Sequence, residues 1–582
     1  MSRTIDNPLL VVAIDIGTTG SGYAVSFQHS SRRDGAREMF FRTFNNGGLQ
    51  SSKTATTILF NPAKEFVAFG DAAEERFAEL EYSEKHNAWY YFQNFKMLLH
   101  DKNDLNRNTL LKDHEDKEMI AMTIFTMSIK YLKDCFLEDM HHKVGYLCPD
   151  NIIWVLTVPG IWNDAAKQFM REAAQNAGIK GDQLLIALDT EAAMMFFKSV
   201  PPYWETAEPV PGTKVVVIDD GGGIVDTSVF KIEDDGTFRQ IHMTSGGGWG
   251  CIQVDWAFTQ LLIKIVGANV FLRFKNDYSS DYLELCREME INKRNFDPDK
   301  KYDIRLRLPK FLIDIYEEMS GETLRDTINQ TSYGNKIALI QQKVLIRPEV
   351  MTSLFEPLIR DLIAHMHGLF REPNVQDTKV IFMVGGFSNA RVLQKAVRRE
   401  FPDKTVIVPR EPENVAVIGA VYYGFQPSAI SARISRFTYG IEVINDFKPS
   451  DPPSKMKLFG GKEHCIDVFS KHVEIGETLM AGQPKPELRY FPVTDDQTRL
   501  DLCLYRSTNR NPLFVTDSGC QYIGKLMVDA PKVNGKTSIK YGIWVKLVFE
   551  ETEIKVEARN EITGQLTSAT FNFLDESKQT QK

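Results

Sequence analysis

Two glycine-rich bends, each running on from an apolar strand that ends in Ile-Asp, constrain this chain more than any other feature. In the first, the apolar run Leu9 to Asp15 meets Gly17, Thr18, Thr19, Gly20, Ser21 and Gly22, then leaves as Tyr23 to Phe27. About two hundred residues later, Val215 to Asp219 enters Gly221, Gly222 and Gly223 and continues as Thr227 to Ile232, again strand, tight turn, strand. Both copies share Ile-Asp-x-Gly, and a distant internal copy predicts two related halves that face each other.

The chemistry that needs such a pair is the holding of a polyphosphate. Glycine lets backbone N–H groups approach phosphate oxygens and tolerates the positive φ of the turns. Asp15, Asp219 and Asp226 stand at the strand ends beside the bends. Mg²⁺ keeps several waters and is held by a few carboxylates plus phosphate, so this acidic set suits it without a dedicated cage. Either turn alone is weak evidence and reads more readily as an ordinary hairpin; the pair, each preceded by Ile-Asp, favours a nucleotide cleft.

Strand–helix units lie between and after the bends. Asn151 to Pro159 is a buried-strand pattern; Asn163 can cap the helix that follows, with Ala166, Phe169, Met170, Ala173 and Ala177 on one face and Gly178 to end it. Lys379 to Phe387 repeats the pattern ahead of a helix carrying Leu393, Ala396 and Val397. These units predict α/β layers over residues 1–425. Residues 426–435 read as a linker. Beyond them the period changes to two: Ile554, Val556 and Ala558 alternate with Lys555, Glu557 and Arg559, and Thr567, Ala569, Phe571 and Phe573 resume the alternation after Gly564. Residues 436–575 are therefore expected to form an antiparallel β-sandwich-like domain, followed by a polar tail at 576–582.

Bulk properties narrow the class. A length of 582 residues calls for several folding units, and a net charge of −8 argues against nucleic acid or acidic lipid as the main partner. No run approaches the ~18 apolar residues of a membrane span, and the N-terminal stretch has no signal-peptide pattern, so cytoplasm or nucleus is expected. Seven scattered cysteines without a CxxC pair read as reduced core thiols.

VAIDIGTTGSGYAV resembles the first phosphate motif of the 70-kDa heat-shock family, its S-G-Y-A continuation being closer to the atypical member-12 branch. VIDDGGGIVDTSV resembles the second phosphate motif, LTVPGIWNDAAKQFMREAAQNAGI the connecting segment and VIFMVGGFSNARVLQKAVRREF the adenosine motif, in family order from about residue 10 to 425. The resemblance implies a two-lobed actin-like ATPase domain that binds ATP or ADP with Mg²⁺. Asp15 and Asp219 would hold hydrated metal, Asp226 would accept a proton from the attacking water, and Asp189 would stand in the catalytic set. Thr18 and Thr19, with Gly17, Gly20 and Gly221 to Gly223, would cradle phosphates, and Lys96 would sit beside the γ-phosphate. Glu290, Lys293 and Arg294, at i, i+3 and i+4, would bind ribose and adenine opposite Gly385 and Gly386. The implied partners are client proteins or peptides and co-chaperones, with no nucleic acid, no integral membrane association and a monomeric chain.

Three departures from the family pattern bear on activity. Ile224 stands where the family carries a threonine, and Asp189 where it carries a glutamate whose arm reaches ~1.5 Å farther. Loss of one positioned group costs ~2.7 to 4 kcal/mol of transition-state stabilisation, so turnover is expected to be slow. The β-region follows SAISARISR rather than an acidic, leucine-rich linker, and no stretch after it suits a helical lid, which predicts fast release. An ATP-hydrolysing chaperone and a nucleotide-gated scaffold with negligible turnover are both compatible with this pattern; a sugar kinase would not need the β-domain.

Overall fold

The computed structural model describes residues 8–574 apart from 31–36, 47, 48, 84, 101, 103, 146, 201–208, 534, 535, 551, 552 and 572. The polar tail lies outside the described residues.

The two glycine bends head two sheets of the same plan. In the first, strands run in the order Leu184–Leu188, Ile152–Val158, Leu10–Ile16, Gly20–Phe27 and Phe40–Phe41, with Thr54–Ala55 pairing on Gly20–Phe27. In the second the order is Thr405–Ile407, Val380–Val384, Lys214–Asp220, Val225–Ile232 and Phe238–Gly247. Each has an antiparallel meander headed by the strand that carries the Ile-Asp, and two parallel strands added on that strand's other side. This doubled α/β arrangement is the expected actin-like pair of lobes. Strands covered on both faces are almost wholly apolar: Leu10–Ile16 and Ile152–Val158 are buried at every position, and their only polar members are Asp15 and Thr157 near the C-terminal ends.

Between the sheets lie two helices, Asp189–Ser199 and Val415–Phe425, whose apolar residues share one cluster with Val11, Ala13, Val215 and Val217. They meet backbone to backbone: a Cβ on Gly419 would fall 1.7 Å from the Ala192 carbonyl oxygen, and one on Gly424 would fall 2.4 Å from Val11. The helix Asp164–Asn176 starts as expected, Asn163 Oδ1 accepting from the Ala166 amide at 2.9 Å, and buries Ala166, Phe169, Met170 and Ala173. Gly178, at φ +85°, follows its end.

Residues 426–435 differ from the expectation of a free linker. Ile430–Ile434 is a strand laid parallel against Phe238–Gly247 and antiparallel against Thr478–Met480. The cue was there: Ile430 and Ala432 are buried while Ser431 and Arg433 are less so, a two-residue alternation inside a short polar run. An open sheet edge recruits such a segment.

The C-terminal region is a pair of antiparallel sheets, one of five strands centred on Thr438–Asp446 and one of four that includes Ile543–Glu550, Glu553–Asn560 and Leu566–Thr570. Their inner faces, including Ile441, Leu504, Val545 and Val556, make one apolar cluster. The hairpin turns at Gly564, φ +69°, with Val556 opposite Ala569. All seven cysteines are free thiols. Only Cys135, Cys251 and Cys465 are buried, and Cys148 and Cys286 are exposed, which corrects the reading of all seven as core residues. No single helix among the described residues is long and apolar enough to cross a membrane.

Candidate functional site

The two bends close on each other. A Cβ on Gly222 would lie 2.7 Å from Thr19 Cγ2, and one on Gly223 would lie 2.0 Å from Met97 Sδ and 3.1 Å from Thr18 Cγ2. Thr18 and Thr19 of one lobe therefore rest on Gly222 and Gly223 of the other, where no side chain fits. Each turn is tight in itself: a Cβ on Gly17 would lie 2.2 Å from the Gly20 carbonyl oxygen, and the Gly221 amide donates to the Ile224 carbonyl at 3.0 Å. A segment that escaped the sequence reading braces the first bend. The Thr56 hydroxyl donates to the Gly17 carbonyl at 2.9 Å, and its amide donates to Thr19 at 3.1 Å.

Four carboxylates converge here: Asp15, Asp189, Asp219 and Asp226, all buried but Asp219, which is partly so. Their protonation follows the local charges. Burial pushes the Asp189 carboxyl up to about 7 against the opposing pull of Lys96, with Asp15 and Asp226 adding to the rise. Asp219 is held well above the usual carboxylate range by burial and then by Asp189, Asp226 and Asp15. Asp226 is also raised, chiefly by burial, although its Oδ2 accepts from the Ile161 amide at 3.3 Å. Asp15 goes the other way: burial opposes ionisation, but Lys53 and Lys96 outweigh it.

Lys96 is buried at the start of a short 3₁₀ turn, Phe95–Leu99, set up by Asn94 in the left-handed region, with its ammonium 5.5 Å over the Trp162 ring. Lys53 was not foreseen. Its Nζ lies 2.6 Å from Asp15 Oδ2, while Thr157 Oγ1 donates to Asp15 Oδ1 at 2.9 Å.

No three Asp, Glu, His or Cys side chains among the described residues stand close enough to ligate an ion directly. Asp189 Oδ1 and Asp226 Oδ1 are instead buried acceptors without a hydrogen-bond partner. Orphaned carboxylate oxygens beside the glycine bends fit a cation that keeps its own waters.

Glu290, Lys293 and Arg294 share a face of the helix Ser279–Asn295, with different roles. Lys293 is 3% exposed and clasped between Glu290 and Asp255, the latter at 2.8 Å, whereas Arg294 is 69% exposed and meets Glu290 at 2.6 Å. Asp255 was missed because it lies on another helix, Ile252–Val266. That helix is stitched to the second bend: the amides of Gly250, Cys251 and Ile252 donate to the carbonyls of Gly223, Gly221 and Gly222 at 3.2, 3.3 and 2.9 Å. Gly385, at φ +84°, abuts the acid cluster, since a Cβ there would fall 2.4 Å from Asp219 Oδ1; beside it, Gly386 has Glu413 alongside. The neighbouring Asp220 is pushed up to about 7 by burial, and Ser388 donates to it at 2.9 Å.

The acid cluster is tied to the β-domain through three residues. Ile161 donates to Asp226, and Arg436 Nη1 donates to the carbonyls of Gly160 and Trp162, on either side, at 2.8 and 2.9 Å. Next along, Asp164 accepts from Tyr439 Oη at 3.1 Å and Arg506 Nη1 at 3.2 Å, Gln168 Oε1 accepts from the Phe573 amide at 2.6 Å, and Arg171 meets Glu553 at 3.4 Å. The helix Asp164–Asn176 is therefore the dock for the β-sandwich. Arg433, in the strand Ile430–Ile434, pairs in bidentate fashion with buried Glu191 at 2.6 and 2.9 Å.

Comparison with known proteins agrees with this geometry. The family profile described as Hsp70 protein matches residues 81–425. The chain is 31% identical to Heat shock 70 kDa protein 12A of Mus musculus, over 97% of this chain and 92% of that one. It is also 31% identical to Heat shock 70 kDa protein 12B of Homo sapiens, over 97% and 91%. Similarity to Chaperone protein DnaK of Mycoplasmoides gallisepticum is 22%, over 82% and 72%. A family that binds adenine nucleotide through an actin-like ATPase domain accounts for the facing glycine bends and the carboxylate cluster between them, and the chain belongs to it: the 70-kDa heat-shock protein family, on the member-12 side.

Proposed function

We propose that this protein is an ATP-binding, chaperone-like member of its family, in which slow, Mg²⁺-dependent hydrolysis of ATP is coupled to binding of protein or peptide by the β-domain. The observation that carries the coupling is the shared hold on Gly160 to Trp162, gripped by Asp226 on the nucleotide side and Arg436 on the β-domain side. A change at one end moves the other only if both states exist with different affinities, typically a 1 to 3 kcal/mol coupling.

In this reading Thr18, Thr19 and the Gly221 to Gly223 turn hold the β- and γ-phosphates, and Lys96 steadies charge developing on the γ-phosphoryl group. Water attacks phosphorus, the bond to the ADP oxygen breaks, and Asp226, with an unpaired Oδ1, takes the proton. Asp15 and Asp219 would hold a hydrated Mg²⁺, which when bound would neutralise phosphate charge. Glu290, Lys293 and Arg294 face the nucleoside, opposite Gly385 and Gly386.

A second reading, a nucleotide-gated scaffold with negligible turnover, is favoured by Ile224. Its side chain is 6% exposed and packs in the apolar cluster of the other lobe, so this position supplies a latch between lobes rather than a hydroxyl for water. Calorimetry of ATP and ADP binding tests the shared premise. Single-turnover hydrolysis with and without an extended peptide separates the two: a background rate that Lys96→Ala leaves unchanged would remove the enzyme reading.

A further inference from the structure

Lys53 sets its ammonium against Asp15 beside the first glycine bend, and the chain around it holds it there. Its backbone runs beside the first glycine bend, Thr54 pairing with Ser21 and Ala55 with Gly20. The side chain lies over two glycines. A Cβ on Gly22 would fall 3.3 Å from Lys53 Cγ and 2.6 Å from the Ser52 carbonyl, and one on Gly20 would fall 3.5 Å from Lys53 Cβ. The neighbouring residue pins the segment across the cleft, Ser52 Oγ donating to Asn414 Oδ1 at 2.8 Å.

The ammonium reaches Asp15 at 2.6 Å and also feels Glu413 and Asp219 of the opposite lobe. Both oxygens of Asp15 are thus engaged, by Lys53 and by Thr157. An ammonium carries three donors, and the hydrogen bond to Asp15 uses one of them. It is a compact point charge of the kind that binds phosphate in other nucleotide sites.

We propose that Lys53 is a built-in counter-cation of the phosphate site, so that adenine nucleotide binds this protein with little dependence on Mg²⁺, although turnover still needs the metal. This rests on the nucleotide-binding reading above. The ammonium compensates the Asp15 carboxylate through their 2.6 Å contact and offers its remaining donors to phosphate oxygens. Metal then adds to a site already partly neutralised.

The test is the ratio of nucleotide Kd in EDTA to Kd in Mg²⁺, measured by calorimetry with ATP and ADP on the full chain. For the unaltered protein the ratio is expected below about 5, whereas Lys53→Met, which loses a charge-assisted bond, is expected to raise it about 10- to 100-fold. Lys53→Arg keeps the charge and should stay close to the unaltered protein; it also decides the matter if Lys53→Met melts early. A ratio above about 50 in the unaltered protein, with Lys53→Met no different, overturns the proposal. Absence of binding in both buffers rejects the nucleotide reading itself, whereas strictly metal-dependent binding rejects the role of Lys53 alone.

Discussion

Replacing Arg436 with alanine should loosen the β-domain from the nucleotide lobe without unfolding either. Arg436 Nη1 donates to the Gly160 and Trp162 carbonyls at 2.8 and 2.9 Å. A bond with a charged partner contributes about 1.5 to 3 kcal/mol, but the freed carbonyls regain water once the domains part, so the pair together is worth about 2 to 3 kcal/mol. That corresponds to roughly 30- to 150-fold in the docking constant. Native-state amide exchange reads this directly, because opening exposes the Gly160 to Trp162 segment and the strand Ile430–Ile434 while the sheet cores stay protected. Exchange in those two segments should accelerate by about the same factor. Arg510→Ala, which breaks only an exposed pair with Glu474 at 3.2 Å, serves as control. Unchanged protection in both segments, with ATP still altering the β-domain as before, would refute the coupling route.

Lys96→Ala should leave nucleotide affinity nearly intact and lower single-turnover hydrolysis at least about tenfold, since its charge matters most as negative charge develops. Glu191→Leu leaves the largely covered Arg433 guanidinium without its buried partner and should cost about 3 kcal/mol, read from the midpoint of urea unfolding; a change under about 1 kcal/mol would contradict a contribution of the pair to stability. Lys167, packed near Arg436, Asp164, Glu191 and Arg433, has its ammonium pushed down from 10.5 to about 8, first by burial and then by Arg436. The folded state therefore pays a penalty below pH 8 that fades as pH rises toward 10.5, and Lys167→Met should raise the melting temperature at pH 7 and flatten that rise. Gly222→Ala drives a methyl into Thr19 at 2.7 Å and should weaken ATP binding, which calorimetry would detect, while leaving the β-domain's own unfolding unchanged.

What was legible in the sequence was what short stretches determine alone. Glycine at a bend, Asn163 at a cap and the alternation of Ile554, Val556 and Ala558 each follow from local sterics or periodicity, and each element stands where those rules put it. The convergence of Gly17 and Gly222 could be argued only from their repetition. Residues that act through distant partners were not legible. Lys53 sits in SSKTATT, a polar stretch whose meaning depends on Asp15, 38 positions earlier, and the one local sign was the pair Gly20 and Gly22 that makes room for it. Asp255 and Lys293 are likewise 38 residues apart, on helices no sequence period could orient toward each other. The strand Ile430–Ile434 went unread because its alternation spans only five residues, too short to stand out until an open sheet edge is known to await it.

The contact of Gly419 on Ala192 limits how the nucleotide domain can move. With two backbones touching, the helices between the lobes cannot approach further, and a methyl group at position 419 would have to push them apart. An alanine at position 419 would therefore act as a wedge between the two lobes.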